Sequence, residues 1–242
     1  MYYILLGLAP AIFFVWYIYK KDKWQPEPLS QIRKIFFLGM ASIIPAIILE
    51  SVLTTYCFHT DLRTVEEVFS IRVLFLFLIV GPIEELCKYS VVKRFIFHTE
   101  HFDERIDGVV YMVVAAMGFA GFENIMYIIN SPNPTLVGII RCVTSTPGHA
   151  IFSGFFGIFL GNAYICRKNQ EYGKAWGQII LGFLIALTLH AIYDLFAFSQ
   201  NTAIVLGGIA GFVIFFGILL IVIVNKLAHE SKLELEQSKS KE

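Results

Sequence analysis

The stretch that decides the fold of this chain is RVLFLFLIVGPIEELCKY, at residues 72–89. Its apolar run is typical of a membrane span, yet it leads directly into Glu84, Glu85 and Lys88. An ionisable side chain within a span costs about 2.5–3.5 kcal/mol on insertion scales, so such residues usually face a polar cavity and have a function. The stretch therefore predicts a membrane helix with a functional site inside it.

The composition of the whole chain is that of a membrane protein. Of its 242 residues, 57% are hydrophobic and 16% are charged, whereas a soluble domain is about 45–50% apolar and about 25% charged. The apolar residues form long runs and not the alternating pattern of a β-barrel. We predict an all-α, polytopic bundle of about seven spans, at about residues 2–19, 34–58, 71–96, 107–130, 141–166, 175–198 and 202–226.

Basic residues are unevenly distributed among the predicted loops. Most of the 19 lysines and arginines lie in alternate loops and after the last span, and such loops are cytoplasmic. We expect the N-terminus outside and the C-terminus in the cytoplasm. Residues 1–226 are predicted to form one domain, followed by a charged cytoplasmic tail at 227–242. Gly157-xxx-Gly161 and Gly207-xxx-Gly211 are predicted points of close helix packing, and no long basic cluster indicates nucleic-acid binding.

Four successive predicted spans carry acids or histidines, which are Glu84, Glu85, Glu123, His149, His190 and Asp194. Glu84 and Lys88 lie four residues apart and share a helix face, whereas Glu85 is expected about 100° further round and away from the lysine. His190 and Asp194 have the same spacing, so Asp194 is expected to hold the His190 imidazole in one tautomer.

Carboxylates and imidazoles together can activate water, either through a glutamate base or through a bound divalent metal. The same groups form proton relays in transporters, and each pair could instead fix helix packing. The sequence has no HExxH pair of zinc ligands, no GxSG serine motif and no GxGD motif,. The residues alone leave a hydrolase, a transporter and a non-catalytic scaffold open.

The motifs and their order resemble those of the PrsW intramembrane proteases. The similar motifs are EExxK at Glu84–Lys88, FxxxEN at Phe119–Asn124, the histidine at position 149, and HxxxD at His190–Asp194. The loop at residues 101–111 and the Glu27–Pro28 pair are also similar to segments of that family.

The resemblance implies an endopeptidase of the bacterial plasma membrane. Its partners would be the lipid bilayer and its substrate, a single-span anti-sigma factor whose first cut releases a stress-response sigma factor. The implied catalytic residues are Glu84, Glu85, Glu123, His149, His190 and Asp194, with Lys88, Phe119, Asn124 and Arg141 around them.

Two mechanisms are compatible with this resemblance. By analogy with the related CAAX prenyl endopeptidases, we expect Glu84 to act as a metal-free general base. The alternative is a zinc ion held by residues among Glu84, Glu123, His149 and His190. Glu123, His149 and His190 are predicted to lie at mid-membrane or nearer the outer side, and Glu84 somewhat deeper, which favours a cavity that opens outward.

Overall fold

The computed structural model describes residues 1–58 and 69–240. Over these ranges the chain forms ten α-helices and no β-strand, which confirms the predicted all-α class. The helices are α1 (Tyr2–Lys21), α2 (Leu29–Ala41), α3 (Ile43–Leu53), α4 (Phe69–Phe75), α5 (Gly81–Phe95), α6 (Arg105–Ile129), α7 (Pro134–Val143), α8 (Ser145–Lys168), α9 (Tyr172–Ala197) and α10 (Thr202–Lys239). Two π-helical turns occupy Thr54–Phe58 and Leu76–Val80.

Six helical segments of the described chain are long and apolar enough to cross a membrane, judged by length and composition alone. They are Tyr2–Lys21, Leu29–Tyr56, Arg105–Ile129, Pro134–Lys168, Tyr172–Ala197 and Thr202–Gln237. The third predicted span, 71–96, is helical as well, but it contains the charged residues Glu84, Glu85 and Lys88. The prediction of a polytopic helical bundle is confirmed.

Helix α6 forms the centre of the bundle, and nearly every residue from Ile106 to Gly121 is buried. Small residues allow its neighbours to approach closely. A Cβ at Gly108 would lie 2.2 Å from the carbonyl oxygen of Gly157, and one at Gly118 would lie 2.0 Å from that of Phe36. Backbone therefore packs on backbone, with α8 against Gly108 and α2 against Gly118 of α6,.

The two predicted glycine motifs differ in the structure. Gly157 and Gly161 both face α6, as expected. Gly207 and Gly211 of α10 have open space where a Cβ would stand, with nothing described within 4 Å. The prediction of close packing is wrong for this second motif. A GxxxG pattern indicates a flat helix face, but it does not show that another helix packs against that face.

Helix α10 continues into the segment predicted as a charged tail and ends at Lys239. There, Ser231 is buried and donates hydrogen bonds of 2.7 and 2.9 Å to the two carboxylate oxygens of Glu104. Arg105 pairs with Glu230 at 3.1 Å. These contacts join the end of α10 to the loop before α6.

Candidate active site

Charged or imidazole side chains from six helices line one cavity of about 460 Å³. The helices are α3, α5, α6, α7, α8 and α9, and the charged or imidazole residues they contribute are Glu50, Glu84, Glu123, Arg141, His149, His190 and Asp194. Apolar side chains such as Ile47, Phe119 and Phe152 form the rest of the wall. Five of the six predicted catalytic residues thus line a single cavity, and the sixth, Glu85, lies behind it.

Breaks in the helices set the positions of Glu84 and His149. The π-helical turn at Leu76–Val80 ends where α5 begins with Gly81 and Pro82, so Glu84 lies in the first turn of α5. Helix α7 ends at Val143 and α8 starts at Ser145, which places His149 near the start of α8. π-helical turns and proline breaks are common beside functional sites because they re-aim side chains.

Glu84 lies between the two imidazoles. Its Oε2 is 3.7 Å from Nε2 of His190 and 4.0 Å from Nδ1 of His149. One carboxylate oxygen and two ring nitrogens of these three buried residues lie within 4.8 Å of one another. This set of three ligand atoms is the inner part of the site.

The other nitrogen of each imidazole contacts a carboxylate. Nδ1 of His190 lies 3.1 Å from Oε1 of Glu85, and Nε2 of His149 lies 2.9 Å from Oε2 of Glu123. An ionised carboxylate only accepts hydrogen bonds, so in each pair the ring N–H is the donor. A neutral imidazole in either pair therefore has its proton on the carboxylate side, and its other nitrogen lies on the side of Glu84.

Lys88 connects both glutamates to one imidazole. Its fully buried ammonium lies 2.8 Å from Glu85, 3.2 Å from Glu84 and 3.0 Å from Nδ1 of His149, and 4.5 Å from the ring centre of Phe119. An ammonium can only donate, so Nδ1 of His149 accepts, in agreement with a proton on Nε2. The expectation that Glu85 faces away from Lys88 is wrong, since residues at i and i+3 are also neighbours on a helix.

Glu85 holds the tautomer of His190, a role predicted for Asp194. Glu85 is completely buried, and the hydroxyl of Ser153 donates to its Oε2 at 2.8 Å. Asp194 lies 3.6 Å from Nε2 of His190, too far for a hydrogen bond, and lines the cavity,. The prediction for Asp194 is wrong. The i, i+4 spacing places Asp194 and His190 on one helix face, but it does not determine whether the carboxylate comes within hydrogen-bond distance of a ring nitrogen.

Arg141 of α7 is the ion-pair partner of Glu123. Its guanidinium lies 2.8 Å from Oε2 of Glu123, and its Nε donates to Oδ1 of Asn124 at 2.7 Å. Asn124 in turn donates to the hydroxyl of Thr146 at 2.9 Å. The predicted residues Arg141 and Asn124 thus fix the carboxylate that orients His149.

Sequence reasoning missed Glu50 and Ser153. Glu50 of α3 lines the cavity, and its Oε1 is buried without a hydrogen-bond partner. The signal for Glu50, a single acid in an apolar predicted span, is the same one that pointed to Glu123. Ser153 has no comparable signal, because serine is common in membrane helices. Its role depends on a hydrogen bond between α8 and α5, in which it donates to Glu85.

The three inner residues fit a metal ion. Two imidazoles and one carboxylate, with an open side, form a typical ligand set for catalytic zinc. Imidazole ligands whose second nitrogen binds a carboxylate are also typical of such sites. Of the four predicted ligands, Glu84, His149 and His190 converge, while Glu123 contacts the far nitrogen of His149.

These features define a class of protein: a polytopic helical membrane protein with a hydrolytic, acid–imidazole centre within the bundle. The chain belongs to the PrsW family, because the pattern of the PrsW family intramembrane metalloproteases matches residues 27–224. It is thus an intramembrane peptidase of the bacterial membrane, as predicted.

Individual relatives agree with this assignment. The chain is 34% identical over 200 residues to Protease PrsW of Oceanobacillus iheyensis, covering 82% of this chain and 85% of that protein. It is 31% identical to the protein of the same name from Geobacillus kaustophilus, covering 79% and 77%. The Bacillus subtilis protein is 29% identical, covering 79% and 80%. No solved structure matches the chain significantly.

Proposed function

We propose that this protein is a zinc-dependent endopeptidase that cuts a single-span anti-sigma factor within or beside its membrane helix. The observation that carries the proposal is the arrangement around Glu84. One nitrogen of each of two imidazoles lies 3.7–4.0 Å from a single oxygen of Glu84, and the other nitrogen of each ring contacts a second carboxylate. The analogy with the CAAX prenyl endopeptidases favoured a metal-free glutamate base. The donor set and the family description reverse that order.

Glu84, His149 and His190 would hold the metal ion. Zinc in such a site supplies Lewis acidity and lowers the pKa of a water molecule. Glu85 and Glu123 keep the two imidazoles in the tautomers that binding requires. Lys88 contacts the atoms of Glu84 and His149 that would bind the metal. When a cation binds these atoms, Lys88 keeps its ion pair with Glu85.

Asp194 is the carboxylate best placed to move protons. It lines the cavity and lies 3.6 Å from Nε2 of His190. Its carboxylate takes part in none of the hydrogen bonds between described side chains. In the proposed reaction it accepts the proton of the attacking water and delivers it to the leaving amine as the peptide bond breaks. Glu50 faces the same cavity and is the second acid available for this transfer.

A metal-free version is the second candidate, and Lys88 is the observation that favours it. Its ammonium already lies 3.0–3.2 Å from two of the three ligand atoms and so competes with a cation for them. In this version Glu84 itself takes the proton from water, with Lys88 stabilising its charged form.

Purification with and without chelation separates the two versions. The wild type is expected to carry one zinc per chain, to lose cleavage after chelation and to regain it with zinc. His149→Ala and His190→Ala should lose the metal, while Glu100→Gln, at an exposed position, should keep it. Full activity in metal-free protein would overturn the zinc version and leave Glu84 as the base.

The substrate proposal rests on the family resemblance and on the position of the cavity. Ala197 and Phe198, at the end of α9 on the predicted outer side, line it. The test is co-expression with each membrane-anchored anti-sigma factor of the source organism. We expect one of them to be shortened by the wild type and to stay intact with Glu84→Gln, and failure with every candidate would reject this substrate class.

A further inference from the structure

A second cluster of carboxylates lies far from the active site. It consists of Asp22, just after α1, Glu27, just before α2, and Asp107, in the first turn of α6. One carboxylate oxygen from each lies within 4.8 Å of the other two. Asp107 and Glu123 are sixteen residues apart on α6, so the two sites are separated by about 24 Å at 1.5 Å per residue.

All three acids are buried, with 1%, 4% and 1% of their surfaces exposed. Hydrogen bonds hold one oxygen of each carboxylate in place. The Glu27 backbone N–H donates to Oδ2 of Asp22, the Tyr111 hydroxyl to Oε2 of Glu27, and the Asp103 and Glu104 backbone N–H groups to Oδ2 of Asp107. Such donors favour the ionised carboxylate and orient it, as the outer partners of metal ligands do.

The negative charge of the cluster is not balanced by protein groups. Among the ion pairs of residues 1–58 and 69–240, none joins Asp22, Glu27 or Asp107 to a basic side chain. The nearby Arg105 is paired with Glu230. Oδ1 of Asp22 is buried and accepts no hydrogen bond. Buried carboxylates without a cationic partner are strongly disfavoured unless they are protonated or bind a cation.

We propose that Asp22, Glu27 and Asp107 bind a hard divalent cation, Mg²⁺ or Ca²⁺. The three groups offer only oxygen donors, which suit these ions and not zinc, which prefers nitrogen and sulfur. The unpartnered Oδ1 of Asp22 supplies a ligand atom with no other role. The cation ties the end of α1 and the loop before α2 to the start of α6, the central helix that carries Glu123 at its other end.

The competing state is a cluster that holds protons in place of a cation. Burial, followed by the charge of Glu27, raises the pKa of Asp22 to about 7, and burial raises the pKa of Glu27 to about 7. In that state Glu27 and Asp107 share a proton through a side-chain hydrogen bond, and full neutralisation needs a proton on each of the three carboxylates. One divalent cation compensates two of the three charges at once.

Thermal unfolding of the full-length protein in detergent distinguishes the two states. After chelation, MgCl₂ or CaCl₂ is added at constant ionic strength, with choline chloride as the blank. We expect a saturable rise in Tm of roughly 5–10 °C at a hundredfold excess over Kd, by mass action on the folded state. The more effective of the two salts identifies the ion.

Variants supply the decisive comparison. Without added cation, Asp22→Asn should be at least as stable as the wild type, because the substitution removes a buried charge. It should also lose the saturable rise in Tm on addition of the salt. Asp103→Asn removes a charge from an exposed side chain of the same region and should keep it. Glu84→Gln should also keep the rise, which separates this site from the active-site metal whether or not the proposed protease mechanism is correct.

Calorimetric titration of the wild type and of Glu84→Gln with each salt gives a second readout that does not depend on Asp22→Asn folding. One Mg²⁺ or Ca²⁺ site in both proteins supports the proposal. No binding, or equal Tm shifts in Asp22→Asn and Asp103→Asn, would overturn it and assign the cluster to shared protons.

Discussion

His190 donates its Nδ1–H to the completely buried Glu85, 3.1 Å away, and so turns Nε2 towards Glu84. His149 uses its two ring nitrogens the other way round. Its Nε2 contacts Glu123, and its Nδ1 lies on the side of Glu84. We therefore propose different tasks for the two adjacent glutamates of the EExxK motif. Glu84 faces the cavity, whereas Glu85 would act through His190 as a positioning residue.

Substitution of Glu85 tests this division of tasks. In Glu85→Gln the amide can donate as well as accept, so His190 loses its fixed tautomer, and we expect zinc affinity and cleavage rate to fall about 10–100-fold. Glu85→Asp keeps the charge and should recover part of both. Ser153→Ala removes only one hydrogen bond to Glu85 and should have a much smaller effect. Equal activity of wild type and Glu85→Gln would contradict the assignment.

The Arg141–Glu123 ion pair should contribute strongly to folding stability. Both side chains are mostly buried, at 14% and 15% exposed, so Arg141→Met removes the cationic partner of the buried Glu123, which keeps only the hydrogen bond from His149, and should cost about 3–5 kcal/mol. The matched control is Lys174→Met, whose pair with Glu171 is exposed at 70% and 41%, and its loss should change the stability very little because solvent screens the pair. Denaturant unfolding in detergent measures both, and similar losses would show that Glu123 finds another partner.

Glycine-to-alanine substitutions should reduce stability where a glycine of α6 packs closely against another helix, and should have little effect where the glycine has open space beside it. Gly108→Ala places a Cβ 2.2 Å from a carbonyl oxygen of α8, so helix backbones must separate, and we expect a clear loss of Tm and of folded yield,. Gly207→Ala meets nothing within 4 Å and should be neutral or slightly stabilising, because alanine is the better helix former. The idea fails if the two variants unfold alike.

The predicted orientation can be tested with a membrane-impermeant maleimide on intact cells. In a background with the native cysteines replaced by serine, Gln200→Cys, beyond α9, should be labelled from outside. Glu100→Cys, between α5 and α6, should react only after the cells are opened. Both positions are exposed, so accessibility differs only through the membrane side. The reverse pattern would place the cavity on the cytoplasmic side.

The sequence by itself determined the helical membrane class and most members of the site. Both signals are local: an apolar run long enough to span lipid must form a helix, and an ionisable residue inside such a run is too costly to be incidental. The six residues Glu84, Glu85, Glu123, His149, His190 and Asp194 could be found in this way. Glu50 carried the same signal.

Only the tertiary structure decided how these residues pair. Helical periodicity fixes which residues share a face, but not the depth and rotation at which one helix meets the next. Those are set here by backbone contacts at small residues such as Gly108 and Gly118 of α6. For that reason Glu85, and not Asp194, meets His190, Arg141 reaches Glu123 from another helix, and Asp22, Glu27 and Asp107 come together from three separate segments.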